Sequence, residues 1–340
     1  MKFNKIGYCK DHLQKNLRLS KRGQFNFVLL FAIVAGSMIL LLAIYGAVKA
    51  GSGFQKQTEA EIAKSLDIIT NPLQAGFADG ATSRIMFKRD TRIINSCDSY
   101  SKFGENIISV QTKSSIGQEW TDNPLEYKIY NKYIFSEMQE GKTFYVYSKP
   151  FSTGFKVTDL IFMSTQSYCF VFPPIEIEEE VRGLNVPNIG LQLEGGNNTC
   201  VEGAKKVCFG TSGTGCEIVV AGECGETRCN SEYDFGYITN ENGTKTYYSG
   251  SLIYAAIFSN KDVYECNVKR LLYRSSRVAD IFSRKVDLMT MRGCSSLLKT
   301  DLDKFAITLQ NASTRDLETI YYLSNDLEKK NAREGGCKLW

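Results

Sequence analysis

Cysteine is the residue type in this chain with the clearest potential for chemistry. Of the eleven cysteines, Cys9 precedes a long uncharged segment and ten follow it. An even number of cysteines in an oxidising compartment predicts up to five disulfides. Local geometry favours Cys97–Cys169 and Cys294–Cys337, and the pairing of the other six stays open. The predicted disulfide cysteines are Cys97, Cys169, Cys200, Cys208, Cys216, Cys224, Cys229, Cys266, Cys294 and Cys337.

Metal binding is the alternative for the cluster from Cys200 to Cys229. Its five cysteines are separated by 8, 8, 8 and 5 residues, with no Cys-x-x-Cys pair and no histidine nearby. This spacing matches no familiar zinc or iron–sulfur pattern. We therefore predict no metal and no cofactor.

Histidine is nearly absent, which restricts the enzymatic chemistry. The single histidine, His12, precedes the uncharged segment, so the rest of the chain has no Ser-His-Asp triad and no Cys-His pair. Carboxylate-only hydrolysis is the remaining alternative, but no spacing singles out a catalytic pair. The acidic run Glu176–Glu180 is interpreted as a solvated helix face or a linker, with a cation site as the alternative. We predict no catalytic residue.

The uncharged segment, residues 23–48, has the length of a membrane-spanning helix. Phe25–Val48 contains 24 residues, about 36 Å as a helix against a hydrocarbon core of about 30 Å. The preceding 22 residues carry seven Lys or Arg and one Asp, and basic flanks stay in the cytoplasm. A cleaved secretory signal is the alternative, but its apolar region is shorter, roughly 7–15 residues. We predict a single-pass protein of the cell membrane with a cytoplasmic N-terminus and an extracytoplasmic C-terminal domain.

The charge distribution argues against nucleic-acid binding. The formal net charge is +4, but the basic tail carries +6, so the remaining residues are slightly acidic. Nucleic-acid-binding proteins concentrate Lys and Arg on one surface, and no such run follows the tail. Three Asn-x-Ser/Thr triplets lie on the predicted outer side, which makes Asn197, Asn242 and Asn311 candidate N-glycosylation sites.

The hydrophobic patterns predict an α+β fold: a single N-terminal transmembrane helix, a β-rich head, a disulfide-stapled insert and a C-terminal helical hairpin bundle. Runs rich in Ile, Val, Tyr and Phe predict the strands. Asn260 is placed to cap a helix over 261–292, and Ser313-x-x-Asp316 resembles a capping box. The predicted segments are a cytoplasmic basic tail (1–22), the transmembrane helix (23–48), a stalk helix (49–80), a β-rich domain (81–173), a linker (174–187), a Cys/Gly-rich segment (188–250) and a helical region (251–340).

The start of the uncharged segment resembles a known targeting signal. Lys21-Arg22-Gly23-Gln24, followed at once by the apolar run, is similar to the class III signal of archaeal prepilins. The resemblance implies cleavage between Gly23 and Gln24, with the helix retained to pack against other helices through residues 24–48. Pilins commonly carry Glu five residues into the mature chain, where this chain has Val28. The layout of a long N-terminal helix and a β-rich head is also similar to pilin-like proteins and to the membrane-anchored exported proteins of small-genome archaea.

These features predict a surface protein with a structural or adhesive, non-catalytic role, anchored in membrane lipid and binding an unknown extracellular ligand. A processed minor pilin-like subunit is the alternative. An anchored extracytoplasmic carboxylate-based hydrolase and a receptor with a partner helix in the membrane are weaker hypotheses.

Overall fold

The computed structural model describes residues 27–74, 82–100, 102–113, 119–122, 124–196, 198–210, 215–225 and 229–340. The chain divides into two units, Met1–Phe54 and Gln55–Trp340. The basic tail, the predicted processing site Gly23–Gln24 and the candidate glycosylation site Asn197 lie outside the described residues.

Helix α1 (Phe27–Gln74) contains most of the predicted transmembrane segment. Phe27–Ala47 is apolar, and none of its side chains is buried by the rest of the described chain. By length and composition these 21 residues suffice to cross a membrane. The predicted stalk, residues 49–80, is helical as far as Gln74, and residues 75–80 lie outside the described residues.

The first sheet has six strands in the order β3-β2-β1-β5-β6-β4, and only the pairing of β4 with β6 is parallel. Successive side chains of a strand point to opposite faces. Along β5, Phe144 and Val146 therefore lie on one face of the sheet, in a small hydrophobic cluster with Ile62 of α1. Tyr145 and Tyr147 lie on the opposite face and pack in the larger hydrophobic cluster, called the main core, which includes residues of the second sheet and of the C-terminal helices. The strands are β1 (Thr82–Asp98), β2 (Glu105–Thr112), β3 (Leu125–Tyr130), β4 (Ile134–Phe135), β5 (Gln139–Ser152) and β6 (Lys156–Ser164).

The second sheet has six strands in the order β12-β11-β10-β9-β7-β8. Strands β7 to β10 run parallel to one another, and β11 and β12 form an antiparallel hairpin beside β10. Helix α2 (Ile175–Leu184) connects β7 to the parallel strand β8. The strands are β7 (Tyr168–Val171), β8 (Ile189–Gln192), β9 (Lys205–Phe209), β10 (Ile218–Gly222), β11 (Phe235–Asn240) and β12 (Lys245–Ser249).

The structure differs from the predicted segments in three places. Strand β7, placed with the β-rich domain 81–173, belongs to the second sheet because a turn at residues 165–167 ends β6. The linker 174–187 contains α2, which buries Ile177, Val181 and Leu184 at helical spacing. The Cys/Gly-rich segment 188–250 supplies β8 to β12 of the second sheet.

Four helices follow the second sheet: α3 (Leu252–Phe258), α4 (Lys261–Met291), α5 (Lys299–Asn311) and α6 (Leu317–Arg333). The Val263 N–H donates to Asn260 Oδ1 at 2.9 Å, as the sequence predicts for this cap. All seven residues of α3 are buried, and α3 packs against β6 of the first sheet and β11 and β12 of the second. The combination of sheets, disulfides and C-terminal helices is consistent with the α+β class.

Five disulfides join the ten cysteines that follow α1. The predicted Cys294–Cys337 bond is present. Cys97 of β1 pairs with Cys266 of α4, which corrects the predicted Cys97–Cys169 pair. Cys97 and Cys266 come together because α4 packs against β1, although the sequence separation of the two cysteines is 169. The remaining bonds are Cys169–Cys200, Cys208–Cys216 and Cys224–Cys229.

Buried tyrosines in the main core predict a loss of stability in alkali. Burial raises the pKa of Tyr147 and Tyr264 well above 10, the ordinary value. In the unfolded chain these tyrosine hydroxyls lose their protons near pH 10, whereas in the folded chain they keep them. The free energy of unfolding is therefore retained below pH 10 and decreases as the pH rises above it.

Two substitutions separate burial from hydrogen bonding at these tyrosines. The Tyr147 hydroxyl has no hydrogen-bond partner among the described residues, whereas the Tyr264 hydroxyl donates to the Tyr247 carbonyl at 2.6 Å. We expect Tyr147→Phe to be nearly neutral at pH 7 and to raise the pH at which the protein unfolds. Tyr264→Phe should lower the free energy of unfolding at pH 7 by about 1–2 kcal/mol, because it leaves a buried carbonyl unpaired. Urea titrations followed by circular dichroism at pH 7 and pH 11 check this, and equal losses at pH 7 would contradict it.

Candidate ligand pocket

An open cavity of about 390 Å³ lies within the unit Gln55–Trp340, where five parts of the fold meet. Its walls are the turn between β5 and β6, helix α2, the residues before β11, the start of α3, and helix α6. The volume is within the range of about 300–1,000 Å³ that is usual for small-ligand sites. We call this cavity the acidic pocket, because its charged lining residues are Glu176, Glu180, Asp234, Glu328 and Lys149.

Glu180 is held in place by two donors from different elements. The Tyr254 hydroxyl at the start of α3 donates to Glu180 Oε2 at 2.5 Å, and Lys149 Nζ of β5 forms an ion pair with the same oxygen. Lys149 Nζ also lies 4.6 Å from the centroid of the Tyr254 ring. Burial raises the pKa of Tyr254 well above its ordinary value, so the hydroxyl remains a donor at neutral pH. One ammonium group is therefore bound between a carboxylate and a tyrosine face.

Asp234 is held by neutral donors. Its Oδ2 accepts from the Tyr321 hydroxyl at 2.5 Å and from the backbone N–H of Asn230 at 2.8 Å and Ser231 at 3.2 Å. Burial, together with the hydrogen bond to Asp234, raises the pKa of Tyr321 to about 12, so this hydroxyl also stays protonated. The contact joins α6 to the segment that precedes β11.

The floor of the acidic pocket depends on a close approach between backbones. Gly154 has φ +81, and a Cβ added there would lie 2.8 Å from the Ser324 carbonyl oxygen of α6. Glycine is the residue that adopts this conformation without strain and leaves room for α6. The buried side chains of Leu252, Ile253 and Ile320 supply apolar surface to the lining.

The acidic pocket has an excess of negative charge. Lys149 neutralises Glu180. Among the described residues, no Lys or Arg forms an ion pair with Glu176, Asp234 or Glu328. Within the same described part of the chain, no group of three His, Cys, Asp or Glu side chains is arranged to hold a metal ion.

No local pattern in the sequence predicts this pocket. Glu176 and Glu180 belong to the acidic run interpreted as a solvated helix face or a linker. Their spacing of four places both on one face of α2, which was the available signal. Asp234 and Glu328 come from segments far along the chain, so no local pattern connects them with α2.

The sequence-predicted sites lie elsewhere. The pocket lining contains none of the ten disulfide cysteines. Asn242 is exposed in the turn between β11 and β12. Asn311 is exposed at the end of α5, where its side-chain amide donates to the Ile307 carbonyl at 3.0 Å.

The chain matches no protein-family model, no curated protein and no solved structure.

Proposed function

We propose that this is a single-pass, membrane-anchored extracytoplasmic protein with a structural or adhesive, non-catalytic role. The observation that carries the proposal is the distribution of the disulfides: all five lie after the apolar helical segment Phe27–Ala47. Disulfides persist in oxidising compartments and are rare in the cytosol. An apolar N-terminal helix together with disulfides fits membrane anchoring or secretion.

Peptide mapping without reduction tests this proposal. Membrane-extracted protein should yield linked peptides for all five bonds. Protease added to intact cells should digest the head, while a tag placed before Lys2 should be protected. Free thiols throughout Cys97–Cys337 would contradict the exterior location, and a soluble secreted product would contradict anchoring.

One observation favours the processed pilin-like subunit as a second candidate. The helix that begins with the apolar segment also carries residues buried in the head unit, since Glu59 and Ile62 are buried. Glu59 Oε1 accepts from the Thr121 hydroxyl at 2.5 Å and from the Thr112 N–H at 3.3 Å. In a filament subunit, the apolar first part of the N-terminal helix would pack against other subunits, and the later part of the same helix would pack into the head.

Processing gives a direct prediction for this candidate. N-terminal sequencing of the native protein should start at Gln24, and Gly23→Leu should leave the basic tail attached, because the peptidase needs the small residue at the cleavage site. Ser20→Ala, in the same tail, should be processed normally. An intact tail in the native protein would exclude the pilin-like candidate and leave the anchored form.

A further inference from the structure

We infer that strand β3 (Leu125–Tyr130) binds β3 of a second copy of this chain in antiparallel orientation, so that the first sheets of two heads join into one continuous sheet. The inference goes beyond the proposed function, because the pairing of two heads does not depend on where the protein is anchored. It assigns the head an interaction surface and a partner of defined chemistry.

The first observation is an open sheet edge. Strand β3 ends the first sheet, and in the described part of the chain it pairs only with β2, over six residues in antiparallel register. Every second residue of such a strand turns its N–H and C=O away from the sheet, and these groups form a template for another strand. The opposite end strand, β4, has only two residues. Strand β3 therefore offers the longer edge of this sheet to a further strand.

The features that usually protect an edge strand are weak in β3. Proline, a bulge or an unpaired lysine commonly prevents a further strand from adding to a sheet. Strand β3 contains no proline, and its register with β2 has no bulge. Its single lysine, Lys128, forms an ion pair with Glu105 of β2 at 2.5 Å. A second strand would therefore not cover an unpaired ammonium group.

The second observation identifies the occupant, because the charges of β3 complement those of another β3. A two-fold axis relates two antiparallel copies of one strand, so one residue of β3 faces its own copy across the axis. If that residue is Tyr127, Glu126 of each copy lies directly opposite Lys128 of the other. Cβ atoms of opposite residues are about 4.5–5.5 Å apart, and opposite charges at these positions stabilise the pairing.

The side chains in this register are placed to make the pairing. Glu126 and Lys128 are both exposed, and residues two apart in a strand lie on the same face. Glu126 forms no ion pair among the described residues, so its carboxylate is available to the second copy. Tyr127 lies on the opposite face, beside the small hydrophobic cluster, and would meet its own copy there. Aromatic pairs across two strands add to the stability of a sheet.

The neighbouring registers are less favourable. The register centred on Tyr127 pairs residues 125–129 of both copies. A register centred on Lys128 would pair residues 126–130, but it places the two Lys128 side chains opposite each other. A register centred on Glu126 opposes two carboxylates and pairs only residues 125–127. Like charges directly opposite each other destabilise a strand pair. The charges of β3 therefore select the register centred on Tyr127.

The test is sedimentation velocity of the full chain in detergent micelles at low salt, where charges are little screened. We expect the native chain to form dimers. Glu126→Lys and Lys128→Glu should each raise the dissociation constant of the dimer by about tenfold, because two opposite-charge pairs become two like-charge pairs. An equal mixture of the two variants should form dimers again, since each pair across the two strands then joins a lysine to a glutamate.

A charge reversal elsewhere on the same sheet is the matched control. Lys88 is exposed on β1, which β2 separates from β3. Lys88→Glu should therefore leave the dissociation constant unchanged. Circular dichroism of each variant confirms that its fold is retained.

Cross-linking tests the register itself, in a Cys9→Ser background because Cys9 is the one cysteine that does not follow α1. An equal mixture of Glu126→Cys and Lys128→Cys chains should form a disulfide between copies. Neither variant alone should do so, because positions two residues out of register lie about 7–8 Å apart, too far for a disulfide.

Three results would overturn the inference: a native chain that stays monomeric at every concentration, a dimer that neither charge reversal weakens, or a mixture of the two reversed variants that fails to form dimers. A dimer insensitive to both reversals would form through another surface, such as the apolar part of α1. These results are distinct from failure of the proposed function, which free thiols in the head would reject whatever the oligomeric state.

Discussion

Replacing both Cys97 and Cys266 with serine is expected to lower the free energy of unfolding by about 5 kcal/mol, the largest effect of any single disulfide here. The bond closes a loop with a sequence separation of 169, and the entropy that a cross-link removes from the unfolded chain grows with the logarithm of loop length. It joins β1 of the first sheet to α4. Its loss should therefore weaken the attachment of α4 to that sheet.

The Cys224→Ser/Cys229→Ser variant is the matched control. That bond has a sequence separation of only 5, and the same relation gives about 2 kcal/mol for its removal. Urea titrations of both double variants and the native protein, without reductant and at one temperature, supply the comparison. Equal losses in the two variants would show that loop length does not govern these disulfides.

Arg270→Met is expected to lower the free energy of unfolding by about 3–5 kcal/mol, because several buried acceptors would lose their donor and each such loss costs about 1–3 kcal/mol. Arg270 is fully buried on α4, and its guanidinium packs 4.8 Å from the centroid of the Tyr133 ring. Burial lowers its pKa from the ordinary value. Its N–H groups donate to Phe103 O at 2.7 Å, Asn106 Oδ1 at 2.8 Å, Asn267 Oδ1 at 2.6 Å, Gly104 O at 3.3 Å and Lys132 O at 3.1 Å.

The reason for the large effect is the set of acceptors that would be left behind. Methionine fills much of the same volume but donates no hydrogen bond, so three backbone carbonyls and two amide oxygens would lose a donor in a buried site. Arg270→Lys should recover only part of the loss, because three donors on a single nitrogen cannot reach acceptors arranged around a planar fork.

Lys269→Met is the control for this prediction. Lys269 is the neighbouring residue on α4 and is exposed, so its replacement should change stability by less than about 0.5 kcal/mol. Urea titrations followed by circular dichroism compare the three variants. A loss in Arg270→Met no larger than that in Lys269→Met would mean that the buried network does not stabilise the head.

The two sites are expected to be coupled. Cys266 and Asn267 are adjacent on α4 and Arg270 follows about one turn later, and Arg270 Nη1 lies 3.9 Å from Cys97 Sγ. Residues in contact are commonly non-additive. Once the disulfide is absent, α4 can move away from the first sheet, so Arg270→Met should then be less destabilising than in the native protein.

Elements with a strong local signal were predicted well from the sequence. The apolar segment at the N-terminus, the Asn260 cap of α4 and the Ser313–Asp316 capping box all appear in the structure. Helix α3 lies in the predicted helical region 251–340 but was not predicted as a separate helix, because all seven of its residues are buried and it has no polar face to mark a helical period. The predicted β-rich domain 81–173 included β7, which belongs to the second sheet, because its apolar run continues almost without interruption from β6.

The candidate pocket could not have been derived from local patterns. Lys149, Glu180, Asp234 and Glu328 lie on four separate segments, and only the packing of α2, α3 and α6 against the sheets brings them to one cavity. Each of these residues, considered alone in the sequence, has the properties of an ordinary surface charge.

The sequence by itself determined which residues are apolar enough for a membrane, where the Asn260 and Ser313–Asp316 caps lie, and that ten of the eleven cysteines follow the apolar segment. These properties depend on composition and on neighbours within one or two turns, so they can be read along the chain. Only the tertiary structure decided that Cys97 pairs with Cys266, that Arg270 is buried among carbonyl oxygens, and that four distant segments form the acidic pocket. The physical reason is that these arrangements arise from the packing of β sheets and helices, and packing joins residues whose separation in the chain carries no information about their distance in space.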